Sequence, residues 1–362
     1  MFKSKKILLF PTKSQIKKID AQIEEHRLLY NSCLALKKET WENEKENLSC
    51  FDLIKSETKK FKNTANYSAL QQTVRRLDKA YNSFFRRVKA GEKPGYPRFK
   101  NRDRFKTIEY GAYGDGNKLK NNKIYLQNVG QIKCSSQDFP ENIKKISITR
   151  CKGKYYANLL YQDISKVSVA PTNKNVGIDF GIKTFVATSD GDKIESPKFH
   201  KQSLKEEAKV HRRIHRAEKG TKERAKHKRS LQKVKSKIAN RRKDFNHKLS
   251  RKIVDEYDTI AIEKIELEDL KSNIKNINRA YRDVAWGQFK TFLTYKAENA
   301  GKRVVEVNPA YTTQECSCCG NIKKKKLSER IHKCQKCGYE DDRDINAAKN
   351  ILRRGLASLE NR

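Results

Sequence analysis

The chain has 362 residues, with 82 lysines and arginines against 43 aspartates and glutamates, so its formal net charge is +39 at pH 7. No apolar run approaches the roughly 18 residues of a membrane span, and the early run at residues 7–10 is too short for a secretory signal, so we expect no membrane partner. A charge of +39 would repel itself in an isolated monomer. It therefore predicts a polyanionic partner, nucleic acid first, with a basic ribosome-associated or architectural protein as the alternative.

The first half of the chain predicts strands and helices in separate blocks. A strand at 1–10 ends before Pro11, helices capped at Thr12 or Ser14 extend to about residue 48, and an amphipathic helix covers 67–88. A loop at 91–100 contains glycine and proline, and short alternating strands follow at 105–168. These strands predict an antiparallel barrel or sheet, and residues 165–174 a linker.

The second half has a different order of elements. It predicts strands at 176–180, 184–188, 193–195, 259–263 and 303–307, a helical region at 198–252, a helix at 283–299 and a last helix at 344–352. The helical region at 198–252 has 22 basic and 5 acidic residues. Three strands, helix, strand, helix, strand and a final helix is the order of a ribonuclease H-like fold, with a central mixed sheet.

Three acidic residues lie at the ends or centres of these elements: Asp179 within a strand, Glu263 at the end of a strand and Asp344 at the start of the last helix. An aspartate within an apolar strand is costly to bury unless it is paired or binds a metal. A ribonuclease H-like sheet would bring the three together to hold two Mg²⁺ ions about 4 Å apart for phosphodiester hydrolysis. Taken singly, they could instead be a turn acid, a strand-end salt bridge and a helix cap.

Other acidic residues compete with these three. Asp342 is the main alternative to Asp344, and Glu266, Glu268 and Asp269 are expected on a solvated loop.

Five of the nine cysteines lie within 22 residues. Cys316, Cys319, Cys334 and Cys337 form two C-x-x-C pairs, each followed by glycine, which is the spacing of a four-thiolate zinc ribbon. Because four protein ligands would fill the tetrahedron, one structural Zn²⁺ is predicted. Cys318 is the spare cysteine, and His332 is a weaker substitute. Clustered cysteines without a signal sequence also favour a reducing cytoplasm.

Several segments resemble the TnpB (OrfB) proteins of bacterial insertion sequences. They are NVGIDFGIK (175–183), AIEK (261–264), WGQF (286–289), YK (295–296), CSCCG (316–320), CQKCG (334–338), DRDINAAKNI (342–351), NSCL (31–34) and GYPRFK (95–100). The resemblance covers nearly the whole chain and is most specific from 175 to 351. It implies an α/β plus α+β chain in which a wedge-like β-barrel (1–10 and 95–168) contains an inserted helical recognition lobe (11–94). A RuvC-like nuclease domain (169–310 and 341–362) then contains the zinc ribbon (311–340).

The resemblance implies an RNA-guided DNA endonuclease with Asp179, Glu263 and Asp344 as catalytic residues, and it selects Asp344 over Asp342. The implied partners are a transposon-derived guide RNA (omega or right-end RNA) and double-stranded target DNA, bound by a monomer in the prokaryotic cytoplasm in association with the nucleoid. In such enzymes the protein holds the nucleic-acid backbone while base pairing reads sequence. The alternatives are a miniature type V CRISPR effector, a transposase that joins DNA ends, and a non-cleaving RNA-guided or RNA-packaging protein.

Overall fold

The computed structural model describes residues 2–61, 64–136, 138–163, 170–264, 275–325 and 329–360. The chain divides into two compact units, Met1–Ser165 and Lys166–Arg362. Each unit combines helices with a sheet of its own, so the prediction of a mixed α/β chain is confirmed. Within the described residues, no helix is both long enough and apolar enough to cross a membrane.

Along the chain, the first unit begins with one strand, continues with three helices and ends with the other six strands of its sheet. Its elements are β1 (Phe2–Phe10), α1 (Lys13–Glu44), α2 (Cys50–Glu57), α3 (Tyr67–Lys89), β2 (Thr107–Glu109), β3 (Asn117–Lys120), β4 (Lys123–Leu126), β5 (Gly130–Cys134), β6 (Ile143–Cys151) and β7 (Lys154–Gln162). The seven strands pair antiparallel in the order β2-β6-β7-β1-β5-β4-β3. Apolar side chains of α1 and α3 pack with those of the sheet in one core.

Polar caps begin the helices of this unit. Thr12 caps α1 and Ser49 caps α2, each in a reciprocal capping box with the residue three positions later, and Asn66 caps α3. The sequence interpretation missed α2, although Ser49 and Asp52 have the capping-box spacing that signals a helix start.

The second unit is built on a five-stranded mixed sheet. Its strands are β8 (Asn175–Phe180), β9 (Thr184–Thr188), β10 (Lys193–Glu195), β11 (Thr259–Glu263) and β12 (Arg303–Val307), in the order β10-β9-β8-β11-β12. Strands β8, β11 and β12 are parallel, whereas β9 is antiparallel to β8 and to β10. All five strands match the predicted ones, because each is a short apolar or alternating run.

The remaining elements of this unit are α4 (Phe199–Arg216), α5 (Lys222–Glu256), α6 (Lys275–Val284), α7 (Trp286–Asn299), the short strands β13 (Ile331–Lys333) and β14 (Glu340–Asp342), and α8 (Arg343–Glu360). The predicted single helix at 283–299 is wrong at its start. Ala285 adopts a left-handed φ of 57° and separates α6 from α7, which allows Trp286 to be buried against Phe180 and Tyr281. The last helix also continues beyond the predicted end at residue 352.

Helices cover both faces of the second sheet. Val176, Ile178, Ile260 and Ile262 pack against α5 and α7 on one face. Since side chains alternate along a strand, Gly177 and Ala261 face the other side, where α8 lies. A Cβ atom on Gly177 would be 2.0 Å from the carbonyl oxygen of Ala348, so α8 and β8 approach at a distance that only glycine permits.

Candidate functional site

Asp179 lies in β8 on the face of the sheet that α8 covers, two residues after Gly177. Its carboxyl group is almost completely buried, with the residue 8% exposed. It is paired across the sheet with Ala187 of β9. Asp179 is therefore a strand residue inside the fold, and the interpretation as a turn acid is wrong.

Glu263 is the last residue of β11, the parallel neighbour of β8. The register pairs Ile262 with Ile178, so Glu263 lies at the level of Asp179 one strand away, about 4.8 Å in the hydrogen-bonding direction. The hydroxyl of Thr312 donates a hydrogen bond of 2.5 Å to the Glu263 carboxylate. The positive charge of Arg354 acts on this carboxylate as well. Thr312 therefore holds one oxygen of Glu263 in place.

Asp344 lies in the first turn of α8. Ala348, four residues later, is opposite Gly177 of β8. Four helical residues rise about 6 Å and two strand residues about 6.6 Å, so Asp344 comes level with Asp179. The guanidinium of Arg343 lies 3.3 Å from the Asp344 carboxylate. The N-terminus of α8 thus delivers a third carboxylate to the carboxyl ends of β8 and β11.

The charges of Glu263 and Asp344 act on Asp179. Burial raises the pKa of Asp179 well above its ordinary value, and the negative charges of Glu263 and Asp344 raise it further. Burial also raises the pKa of Glu263, although the Thr312 hydrogen bond and Arg354 oppose this effect. Neighbouring carboxylates in a buried site disfavour the ionised form of one another. The structure therefore brings Glu263 and Asp344 close enough to the buried Asp179 for their charges to act on it.

Asp342 has a different role from Asp344. Its carboxylate accepts hydrogen bonds from the backbone N–H groups of Asp344, at 2.9 Å, and Ile345, at 3.3 Å, and pairs with Lys193. These contacts cap the N-terminus of α8. The helix cap is therefore Asp342, and the cap interpretation of Asp344 is wrong. Glu266, Glu268 and Asp269 lie outside the described residues.

The four predicted zinc ligands form a compact cluster. Among the described residues, one group of at least three His, Cys, Asp or Glu side chains has all its ligand atoms within 4.8 Å of one another. It consists of Cys316, Cys319, Cys334 and Cys337. The Sγ atoms of Cys316 and Cys337 are 3.8 Å apart, and those of Cys319 and Cys334 are 3.6 Å apart. A tetrahedral site with Zn–S bonds of about 2.3 Å has edges of about 3.8 Å. The cluster therefore could bind zinc.

The two cysteine pairs have the same local geometry. Gly320 N–H donates to the carbonyl of Cys316, and Gly338 N–H to that of Cys334. Both glycines have a left-handed φ, 73° and 72°, which residues with a side chain rarely adopt. The spare Cys318 is exposed, and His332 is outside the group of four, with its Nδ1 in contact with Lys325.

The basic helices expose their charge. Residues 198–252 lie mainly in α4 and α5, which pack together through Val210, Ile214, Val234 and Ile238. Lys205 and Lys226 are among the exposed residues on their outer surface. In the first unit, the predicted aromatic loop exposes Tyr96 and Phe99, with the Lys38 ammonium 5.2 Å and 5.3 Å from the two ring centres. Exposed rings beside cations suit unpaired bases and phosphates.

Sequence reasoning missed three residues beside the acids. Thr312 contacts Glu263, while Asn346 and Asn350 of α8 are fully buried and bind backbone groups before and within the first cysteine pair. Two asparagines four residues apart in one helix are a signal that could have indicated a polar contact on one helix face. Thr312 has no comparable signal in the sequence.

Family models match most of the chain. OrfB_IS605, described as "Probable transposase", matches residues 158–273, and "Cas12f1-like, TNB domain" matches residues 286–351. HTH_OrfB_IS605, described as "Helix-turn-helix domain", matches residues 1–46. In this structure that last region contains the strand β1 and the single long helix α1.

Named relatives align with the chain over most of their length. The chain is 31% identical to a "Putative RNA-guided DNA endonuclease" of Streptomyces pristinaespiralis, covering 98% of this chain and 89% of the relative. It is 30% identical to "Putative RNA-guided DNA endonuclease InsQ" of Escherichia coli (strain K12), covering 80% and 75%. The solved structure of the mini-RNA-guided endonuclease CRISPR-Cas_phi3 superposes with a TM-score of 0.51 over 98% of this chain and 92% of that one, at 12% identity, a likeness of fold alone.

Proposed function

The chain belongs to the TnpB (OrfB) family, and we infer that it is an RNA-guided DNA endonuclease. The two relatives that carry this activity in their names align with most of the chain. The observation that supports the assignment to individual residues is that the charges of Glu263 and Asp344 act on the buried carboxyl group of Asp179. We assign catalysis of DNA phosphodiester hydrolysis to these three carboxylates.

The three carboxylates fit a magnesium site. They are oxygen donors, which Mg²⁺ prefers, and their mutual repulsion is relieved when a cation binds between them. A pair of ions about 4 Å apart is the arrangement we propose, as in other two-metal nucleases. When bound, the ions supply activation of the attacking water and neutralisation of the leaving oxygen.

The surrounding residues orient these ligands. Asp179 is the acid whose pKa responds to the charges of the other two. The Thr312 hydroxyl fixes Glu263, and Arg343 holds its positive charge beside Asp344. Burial keeps bulk water away from Asp179, so electrostatic interactions within the site are stronger than they would be at the surface.

We further propose that the second unit is a ribonuclease H-like, RuvC-type nuclease domain (169–310 and 341–362) with a zinc ribbon (311–340) inserted between β12 and α8. The strand order β10-β9-β8-β11-β12, with β9 antiparallel, supports this assignment. One Zn²⁺ held by the four cysteines is structural, because protein ligands fill its tetrahedron. The first unit is assigned as the wedge barrel (1–10 and 95–168) with the recognition lobe (11–94) inserted in it.

The partners proposed are a guide RNA from the right end of the transposon and double-stranded target DNA. The net charge of +39 and the exposed basic helices α4 and α5 support binding of nucleic-acid backbones. We propose a monomer, located in the prokaryotic cytoplasm in association with the nucleoid.

The test is cleavage by the protein purified with its own RNA. Sequencing that RNA identifies the guide, and a matching DNA target is then incubated with the complex and Mg²⁺. Asp179→Ala is expected to abolish cleavage and to bind RNA as the wild type does. Asp192→Ala, which removes an exposed carboxylate between β9 and β10, is the matched control and should cleave normally. Cleavage by Asp179→Ala at the wild-type rate would refute the site.

A miniature type V CRISPR effector is the second candidate, favoured by the match of residues 286–351 to a Cas12f1-like domain. The copurified RNA separates the two: a CRISPR repeat supports the effector, and a transposon-end transcript supports the main proposal. Heterogeneous RNA with target binding but no cleavage in Mg²⁺ would instead indicate a non-cleaving binding protein. Strand transfer of transposon ends without RNA would indicate a transposase.

A further inference from the structure

The segment 312–317 lies between the carboxylate site and the cysteine cluster, and we call it the linking segment. At its start, the Thr312 hydroxyl donates to the Glu263 carboxylate at 2.5 Å. Near its end is Cys316, which is fully buried and has its Sγ 3.8 Å from that of Cys337. One short piece of chain therefore contacts a proposed magnesium ligand and contains a proposed zinc ligand.

Two buried asparagines of α8 hold the linking segment. Asn346 donates to the carbonyl of Glu315 at 2.8 Å and accepts from the N–H of Ser317 at 2.9 Å. Asn350 donates to the carbonyls of Thr312, at 3.0 Å, and Glu315, at 2.8 Å. The two asparagines lie one helical turn apart on the same face of α8, so together they hydrogen-bond the backbone on both sides of Cys316.

The same helix carries Asp344. Asn346 is two residues after Asp344, within the first turn of α8, and neither asparagine is exposed. Buried polar groups whose hydrogen bonds are all made resist displacement, because each broken bond leaves an unpaired group. A shift of the linking segment is therefore transmitted to Asp344 through Asn346, and to Glu263 through Thr312.

We propose that Thr312, Asn346 and Asn350 are positioning residues that couple metal occupancy of the cysteine cluster to the geometry of the magnesium site. This inference rests on the proposed function. With the cluster occupied, Cys316 is fixed and the linking segment presents Thr312 to Glu263. With the cluster empty, Cys316 is released, so Glu263 loses the hydrogen bond from Thr312 and the first turn of α8, which carries Asp344, loses the fixed backbone partners of Asn346. Partners of this kind around metal ligands typically change metal affinity by about 10- to 100-fold when they are removed.

The first experiment measures Mn²⁺ binding, with Mn²⁺ as the probe for the magnesium site, by electron paramagnetic resonance of the free ion. The full chain with its RNA is used, and binding by Asp179→Ala is subtracted as background. Thr312→Val, which removes the hydroxyl, is expected to raise the dissociation constant about 10- to 100-fold. Thr312→Ser, which keeps it, should stay close to the wild type, as should Thr313→Val at the neighbouring position. Wild-type Mn²⁺ affinity in Thr312→Val would overturn the coupling.

The second experiment removes zinc through the second cysteine pair. Cys334 lies outside the linking segment, and the Cys334→Ser variant is expected to lose zinc, measured by elemental analysis. Its Mn²⁺ binding should weaken to a similar extent as in Thr312→Val. Because both changes act through Thr312, the double variant should bind no more weakly than the more severe single variant. Fully additive losses, or normal Mn²⁺ affinity in zinc-free protein, would overturn the inference. Neither Mn²⁺ affinity nor zinc content depends on cleavage. A wild-type protein that does not cleave DNA would therefore count against the proposed function, whereas the two binding measurements would still decide whether the sites are coupled.

Discussion

Replacement of Gly177 by alanine should separate α8 from the sheet and displace Asp344 from the other two acids. A Cβ at Gly177 would lie 2.0 Å from the carbonyl oxygen of Ala348 and 2.6 Å from the backbone nitrogen of Leu352. Both are backbone atoms, so no side-chain rotation relieves the contact. To restore a separation of 3.0 Å, the helix must retreat by about 1 Å, from the difference between 2.0 Å and 3.0 Å.

This displacement has two expected magnitudes. A shift of about 1 Å in a catalytic group can cost about 100-fold in rate, which corresponds to about 2.7 kcal/mol of activation free energy. Overpacking of a core costs about 1–3 kcal/mol of stability, and each kcal/mol lowers the melting temperature by about 2–4 °C in a unit of this size. Gly177→Ala should therefore remain folded at 25 °C while its single-turnover cleavage rate falls strongly.

The assay compares cleavage rate, melting temperature and RNA affinity for Gly177→Ala and for Gly287→Ala. Gly287 lies in α7, and a Cβ there would meet nothing within 4 Å, so the control should cleave normally. Alanine also favours a helix over glycine, so the control should be at least as stable as the wild type. Normal cleavage by folded Gly177→Ala would show that the close approach of α8 to β8 does not set the position of Asp344.

Three further predictions address the other residues. Asp344→Asn should lose cleavage whereas Asp342→Asn should keep it, because asparagine caps a helix as well as aspartate; single-turnover cleavage assays of both variants decide this. Cys334→Ser should release zinc and lower the melting temperature, as measured by elemental analysis and thermal unfolding. Burial lowers the pKa of His26 to about 3, so between pH 6.5 and pH 4.5 the unfolded state takes up a proton that the folded state does not bind, and the free energy of unfolding should fall by about 2 kcal/mol over that range. His26→Gln should show a shallower fall in urea titrations over that range.

Much of the second sheet could be predicted from local patterns. Strands β8 and β11 are apolar runs that end in or contain a single acid, and a parallel arrangement brings such acids to one edge. The cysteine cluster was predictable for a similar reason, since both pairs carry their turn glycine within five residues. Such short patterns predict strands and cysteine pairs without any knowledge of contacts between distant parts of the chain.

The end of α8 shows where prediction of a helix end from neighbouring residues fails. A glycine near the end of a helical pattern usually signals termination, and Gly355 follows two arginines that also favour an end. In the structure the helix continues to Glu360. Gly355 is present for a different reason, since a Cβ at this position would lie 2.5 Å from the Cβ of Ala261. Close packing of the helix on β11 therefore requires glycine at this position and outweighs its modest helix penalty. The break at Ala285 is the converse case, since neither neighbour of that alanine is a helix breaker.

The contacts that orient the acids depend on residues far apart in the chain. Thr312 and Glu263 are separated by 49 residues, and Asn350 and Thr312 by 38. A threonine has no sequence feature that marks such a partner, so its role becomes visible only after β11, the linking segment and α8 have been assembled. The identity of the acids follows from strand ends and helix starts, whereas their geometry follows from long-range hydrogen bonds. Variants of Thr312 and Asn350 therefore test the part of the site that the sequence could not predict.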